Sequence, residues 1–139
     1  MDSNEVVNAF QNDSLGSDDA VGIANKIKKG ELSASLVTQD AIERAKAVNP
    51  KLNAITVENF DLAQTNSEKP FTGFFQGVPT FIKDTDEVPG LPLYLGSRSL
   101  PGEPSDKYSK AAKQIIDTGL NCLGTTTTPE FGLTGTTES

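Results

Sequence analysis

Gly77-Val78-Pro79-Thr80-Phe81-Ile82-Lys83-Asp84 is a run of strand-forming residues that ends on a single lysine. Strand alternation puts Phe81 and Lys83 on one face and Val78, Thr80 and Ile82 on the other, so Lys83 shares its side with an aromatic ring. An ammonium in apolar surroundings without a partner is costly, and the group either snorkels to water or gives up its proton. The second outcome makes a base. Two other readings also fit the octet: an edge-strand charge that blocks aggregation, or the partner of Asp84 or Asp86.

The surrounding chain bounds what such a lysine can serve. Its 139 residues suffice for one domain with a real core and are too few for two of ordinary size. Twelve basic against nineteen acidic residues leave a net charge of 12 − 19 = −7, which disfavours nucleic acid or an anionic membrane surface as a direct partner. No apolar run approaches the roughly twenty residues that span a bilayer, and no basic-then-apolar leader opens the chain, so a cytoplasmic location is expected. The sole cysteine, Cys122, lies among apolar neighbours and reads as a small buried hydrophobe. Histidine is absent. That removes Ser-His-Asp and Cys-His arrangements and the usual zinc sites from these residues, leaving proton transfer to lysine, carboxylate or tyrosine.

Outward from the octet, the pattern is mixed. Residues 1–16 are polar and read as a loose arm or a short helix over Val6 to Phe10, before 17–139, the expected N-terminal part of a single domain. Ser17 is the expected cap of a helix with Ala20, Ile23, Ala24 and Ile27 at helical spacing, closing at Gly30. A second helix begins after Ser33 or Ser35, carries Val37, Ala41, Ile42, Ala45 and Val48 on one stripe, and is expected to halt at Asn49-Pro50. Ala54 to Val57 reads as a strand and Asn59 to Glu68 as a helix with Phe60 and Ala63 inward.

Beyond the octet, Pro89, Pro92, Pro101 and Pro104 with Gly90, Gly96 and Gly102 predict a long irregular surface loop. Ser105 is the expected cap of a helix through Ala111, Ala112, Ile115 and Ile116, and Leu120 to Gly124 reads as a strand. Strand, helix and strand in that order predict a crossover onto a parallel or mixed sheet. Thr128-Pro129-Glu130 opens one more helical turn with Thr128 as cap. The chain then ends without a strand partner or cap, as a cut chain would.

Other motifs fail. No phosphate-cradling glycine loop and no G-x-G-x-x-G follows a strand. Tyr108 with Lys110 and Lys113 lacks the spacing of a dehydrogenase pair. Asp84, Asp86 and Glu87 supply oxygen ligands at close spacing but no EF-hand pattern, and neither metal nor cofactor is expected.

The octet, then Val88-Pro89-Gly90 with Gly96-Ser97, then Gly124-Thr125-Thr126 and Thr128-Pro129-Glu130-Phe131-Gly132, together resemble the N-terminal third of an amidase signature enzyme. The resemblance runs from about Ala20 to Ser139 and includes the helix pair with Leu52-Asn53-Ala54-Ile55. It implies an α/β fold, a mixed β-sheet surrounded by helices, and a Ser-cisSer-Lys triad that cleaves carbon–nitrogen amide bonds. Lys83 matches the family's lysine. Both serines belong to a Gly-Ser-rich segment and its sequel that do not occur here, so the 139 residues alone are expected to be inactive. Thr125 departs from the family, which commonly carries lysine there. Leu133 and Thr134 lie where family members line the acyl side of the pocket.

The resemblance implies a small-molecule amide substrate and, as partner, the remainder of the same chain. Unpaired sheet edges would otherwise drive self-association into a homo-oligomer. Two further functions stay open at this point: an amidotransferase component that releases ammonia from glutamine for a tRNA-bound acceptor, and a non-catalytic module whose loop from Asp84 to Pro104 binds a protein.

Overall fold

The octet folds as the sequence predicts. In a computed structural model that describes residues 6–137, its strand β2 spans Pro79–Lys83. β3, Asn121–Thr126, runs parallel to β2 and occupies the centre of a three-stranded sheet in the order β1-β3-β2. β1, Ile55–Glu58, pairs antiparallel with the other flank of β3, which makes the sheet mixed. β3 is central because it can be dry, with Asn121 through Thr125 all buried.

Alternation along the strands divides the core between two faces. Phe81 and Leu123 pack with Ile42 and Ala45 of α2 (Ala34–Leu52) and Phe60 and Ala63 of α3 (Phe60–Ser67). Ile82 and Cys122 pack on the opposite face with Val88 and Leu91 of the long loop and Ala112 of α4 (Lys110–Asp117). Helices therefore flank the sheet on both sides. Asn121, at the start of β3, donates from Nδ2 to Thr38 Oγ1 at 3.1 Å and to the Ala63 carbonyl at 2.9 Å. This buried amide ties the sheet to α2 and α3 at once.

Several boundaries differ from the sequence reading, each for a local reason. α1 spans Ala20–Lys28 and is capped by Asp19, not Ser17, because the Asp19 carboxylate reaches the Gly22 N–H at 2.7 Å. α2 continues past Pro50 to Leu52. The helix ends beyond it, where the Asn49 side-chain oxygen accepts from the N–H groups of Ala54 and Ile55 and Asn53 turns left-handed at φ 47°. α4 starts at Lys110 with Ser109 as cap, because the Ser109 hydroxyl, not that of Ser105, accepts from Ala112. The last turn is a 3₁₀ helix over Glu130–Gly132 with Pro129 before it, and Thr128 makes no capping hydrogen bond. The loop after β2 is not wholly superficial either, since Val88, Leu91 and Ser97 are buried.

The N-terminal arm is also more firmly held than its composition predicts. Val6 to Phe10 form no helix, and Met1 to Glu5 lie outside the described residues. Arg44 of α2 clamps the next few residues of the arm: its Nε and Nη2 donate to the two oxygens of Asp13 at 2.6 Å each, and Nη2 also donates to the Gly16 carbonyl at 2.8 Å. The guanidinium lies 5.6 Å from the Phe10 ring centroid. Bonding to Arg44 holds the Asp13 carboxyl below its ordinary value of 3.8. A depressed carboxyl stabilises the fold fully above that ordinary value and ceases to do so as pH falls through the folded one. Arg44→Ala is therefore expected to lower the unfolding free energy by about 1–2 kcal/mol at neutral pH, a figure reduced for the pair's nearness to solvent. In urea titrations the gap from wild type should close in acid below Asp13's folded value; an unchanged gap there would assign the effect to packing.

Among the described residues, no helix is long and apolar enough to cross a membrane.

Candidate functional site

Parallel strands deliver their carboxyl ends to the same edge of a sheet, where open α/β sheets hold their ligands. β2 ends at Lys83, paired in register with Thr126 of β3. The Asp84 N–H donates to the Thr126 carbonyl at 2.9 Å, which carries the pairing one residue further. Lys83 itself is exposed, and its ammonium makes no hydrogen bond or ion pair among the described residues. The apolar surroundings expected from Phe81 are thus not formed by these residues. The reason is topological: β2 is an edge strand, with a neighbour on one flank only.

The pairing of Lys83 with Asp84 or Asp86 does not occur either. Asp84 is fully buried, and its two oxygens accept from the N–H groups of Tyr94 at 3.1 Å and Gly96 at 3.2 Å. Asp86 accepts from the Ser109 hydroxyl at 2.6 Å. The acidic residues after β2 consequently point to different places, and no group of three or more His, Cys, Asp or Glu converges among the described residues.

Asp84 holds a turn, and the turn holds the end of the chain. Ser97 donates its N–H back to the Tyr94 carbonyl at 2.9 Å, Leu95 accepts from the Phe131 N–H at 2.7 Å, and the Ser97 hydroxyl donates to Glu130 Oε1 at 2.6 Å. Gly96, at φ +66°, lies so close to the last segment that a Cβ there would meet the Thr128 carbonyl oxygen at 2.2 Å. Between these segments opens a cavity of about 360 Å³, with Asp84, Tyr94, Ser97 and Thr128 in its wall. A second cavity of about 700 Å³ adjoins it through Gly96, Ser97, Arg98 and Thr128.

Leu133 and Thr134 line the second cavity, Leu133 almost wholly exposed and Thr134 donating its hydroxyl to the Thr136 carbonyl at 2.8 Å. Lys83 lines neither cavity and stands at the neighbouring strand end. Sequence reasoning missed Thr128 as a site residue. Its Oγ1 is buried without a partner while its residue forms part of both cavity walls. A buried hydroxyl left unpaired is costly. Reading Thr128 as a helix cap hid this. Asp84 was legible as a cation candidate or as the partner of Lys83, although a carboxylate between a strand and a Pro/Gly-rich loop is also suited to bonding loop N–H groups.

Cys122 is the inert group its neighbours suggest. Burial pushes its thiol up, and Sγ contacts the Gly124 carbonyl at 3.5 Å, so the thiolate needed for nucleophilic attack is disfavoured. Burial likewise raises the Tyr108 phenol.

The family model described as Amidase matches residues 36–139. The chain is 39% identical over 132 residues to "Putative amidase AmiC" of Mycobacterium leprae, covering 95% of this chain and 28% of that protein. It is 29% identical over 124 residues to a glutamyl-tRNA(Gln) amidotransferase subunit of Hahella chejuensis, covering 84% of this chain and 26% of that one. Among solved structures, 6-aminohexanoate cyclic dimer hydrolase complexed with substrate superposes with a TM-score of 0.77 at 32% identity, over 87% of this chain and 26% of that enzyme. The chain therefore spans little more than a quarter of the length of the relatives it matches.

Proposed function

Because the chain belongs to the amidase family, we propose that it forms the N-terminal part of an amide hydrolase in which Lys83 is the general base of a Ser-cisSer-Lys triad. The observation that carries this reading is the location of Lys83, without a partner among the described residues, at the carboxyl end of a parallel strand and adjacent to the segments that wall two cavities. Both serines come from outside these residues. One attacks the amide carbonyl, the second passes the released proton to the Lys83 amine, and the ammonium so formed returns it to the leaving nitrogen.

Lysine can take a serine proton near neutral pH only where its charged form is disfavoured by desolvation and by hydrogen bonds to the neutral amine. These residues leave that position open to solvent. Covering Lys83 is thus the task of the residues that bring the serines, which couples assembly of the site to activation of its base. The substrate class is a small-molecule amide, with Leu133 and Thr134 on its acyl side. A location in the cytoplasm fits this chemistry.

The identity to the amidotransferase supports a second reading, in which the same triad releases ammonia from glutamine for a tRNA-bound acceptor. Hydrolysis of simple amides by the full-length polypeptide without further polypeptides favours the first reading. Glutaminase activity only with co-purifying polypeptides favours the second. In either case Lys83→Ala should abolish turnover, and equal rates in variant and wild type reject the assignment.

A further inference from the structure

We propose that Asp84 is a positioning residue for Lys83: its carboxylate fixes the peptide that carries the lysine to the wall of the adjacent cavity. This rests on the amide-hydrolase reading of the chain. Asp84 comes directly after Lys83 and is fully buried, and burying a carboxylate is unfavourable unless its oxygens are bonded. Oδ1 accepts from Tyr94 and Oδ2 from Gly96, each through a backbone N–H. No cation pairs with it among the described residues. The same residue's N–H is bonded to Thr126 of β3. The Lys83–Asp84 peptide is therefore held from the sheet by its backbone and from the loop by its side chain.

The carboxylate grips the inner wall of the cavity. From Tyr94 and Gly96 the connection runs through Leu95 to the Phe131 N–H, through Ser97 to Glu130, and through the close approach of Gly96 to the Thr128 carbonyl. The Asp84 side chain thus holds the Tyr94–Gly96 turn, which in turn holds the segment around Thr128 to Phe131, and the base and the pocket wall are tied together through this one residue. The two N–H donors each meet a different carboxylate oxygen. Asparagine has the shape of aspartate but only one acceptor, and its NH₂ would face one of the two donors.

The test uses the full-length enzyme with three variants, Lys83→Ala, Asp84→Asn and Asp84→Glu, assayed for amide hydrolysis at a temperature where circular dichroism shows each folded. Asp84→Asn is expected to lower kcat by about 10–100-fold with KM changed less than about three-fold, as misplacing a catalytic group by about 1 Å does. Asp84→Glu, with both acceptors but a longer stem, should recover part of that loss. Hydrogen exchange should quicken at the Tyr94 and Gly96 amides in Asp84→Asn. An Asp84→Asn enzyme within two-fold of wild-type kcat overturns the proposal while Lys83→Ala remains dead. If neither Asp84 variant folds, Asp84 holds the fold and not the site, and the proposal is likewise overturned. Unimpaired amide hydrolysis by Lys83→Ala removes the assignment of Lys83 as the base, and no amide hydrolysis by the wild type removes the hydrolase reading itself, each a result distinct from the others.

Discussion

Replacing Lys83 by alanine in the full-length enzyme is expected to lower kcat/KM for amide hydrolysis by about 10³-fold or more, within the span that positioned proton transfer contributes. The loss should fall on kcat, because an amine that exchanges a proton with a serine acts in the transition state and adds little to ground-state binding. Lys83→Arg sharpens the result. A guanidinium keeps the positive charge yet cannot shed its proton, so a general base is lost as completely as with alanine, whereas a purely electrostatic role would survive. Activity retained by Lys83→Arg would count against base catalysis and leave only charge stabilisation.

Gly124→Ala is expected to be the most destabilising small substitution in the sheet. Gly124 lies inside the central strand at φ +144°, and a Cβ there would come within 2.2 Å of the Val57 carbonyl oxygen. The obstacle is the backbone of a paired strand, not a flexible side-chain tip. β1 would have to withdraw from β3, at a bulge where the register already shifts between Ile55 and Val57. Asn59, which donates its N–H to the Leu123 carbonyl at 2.9 Å and its side-chain amide to the Cys122 carbonyl at 3.1 Å, would lose alignment with it. Strain and lost ladder bonds together should cost about 3–4 kcal/mol, a large part of the roughly 5–15 kcal/mol that keeps a domain folded. Urea or thermal unfolding measures it. A loss below about 1 kcal/mol would show that the two strands separate freely at this point.

Much of the fold was legible because it rests on periodicity. The stripe Val37, Ile42 and Ala45 and the inward pair Phe60 and Ala63 identified α2 and α3, and these residues are buried in the structure. The octet and Leu120 to Gly124 identified the parallel strands, and the helix between them required the crossover. Helix ends were harder. Asp19, Ser33 and Ser109 compete with neighbours of equal capping chemistry, and only the path of the chain decides which oxygen meets an N–H. Pro50 misled for a related reason, since the turn that closes α2 is made further on, where Asn49 accepts from Ala54 and Ile55 and Asn53 turns left-handed.

By itself the sequence determined the family, the order of strands and helices, the lysine at the strand end, and the chemistries that a chain without histidine excludes, all of which depend on residue type and spacing. Only the tertiary structure decided that Asp84 is a buried clamp, that Thr128 turns an unpaired hydroxyl inward beside two cavities, that Arg44 secures the N-terminal arm, and that Lys83 stands uncovered at an edge. Those outcomes arise where segments far apart in sequence meet, and hydrogen bonds between them are set by where the backbone passes. A local pattern holds no record of that path.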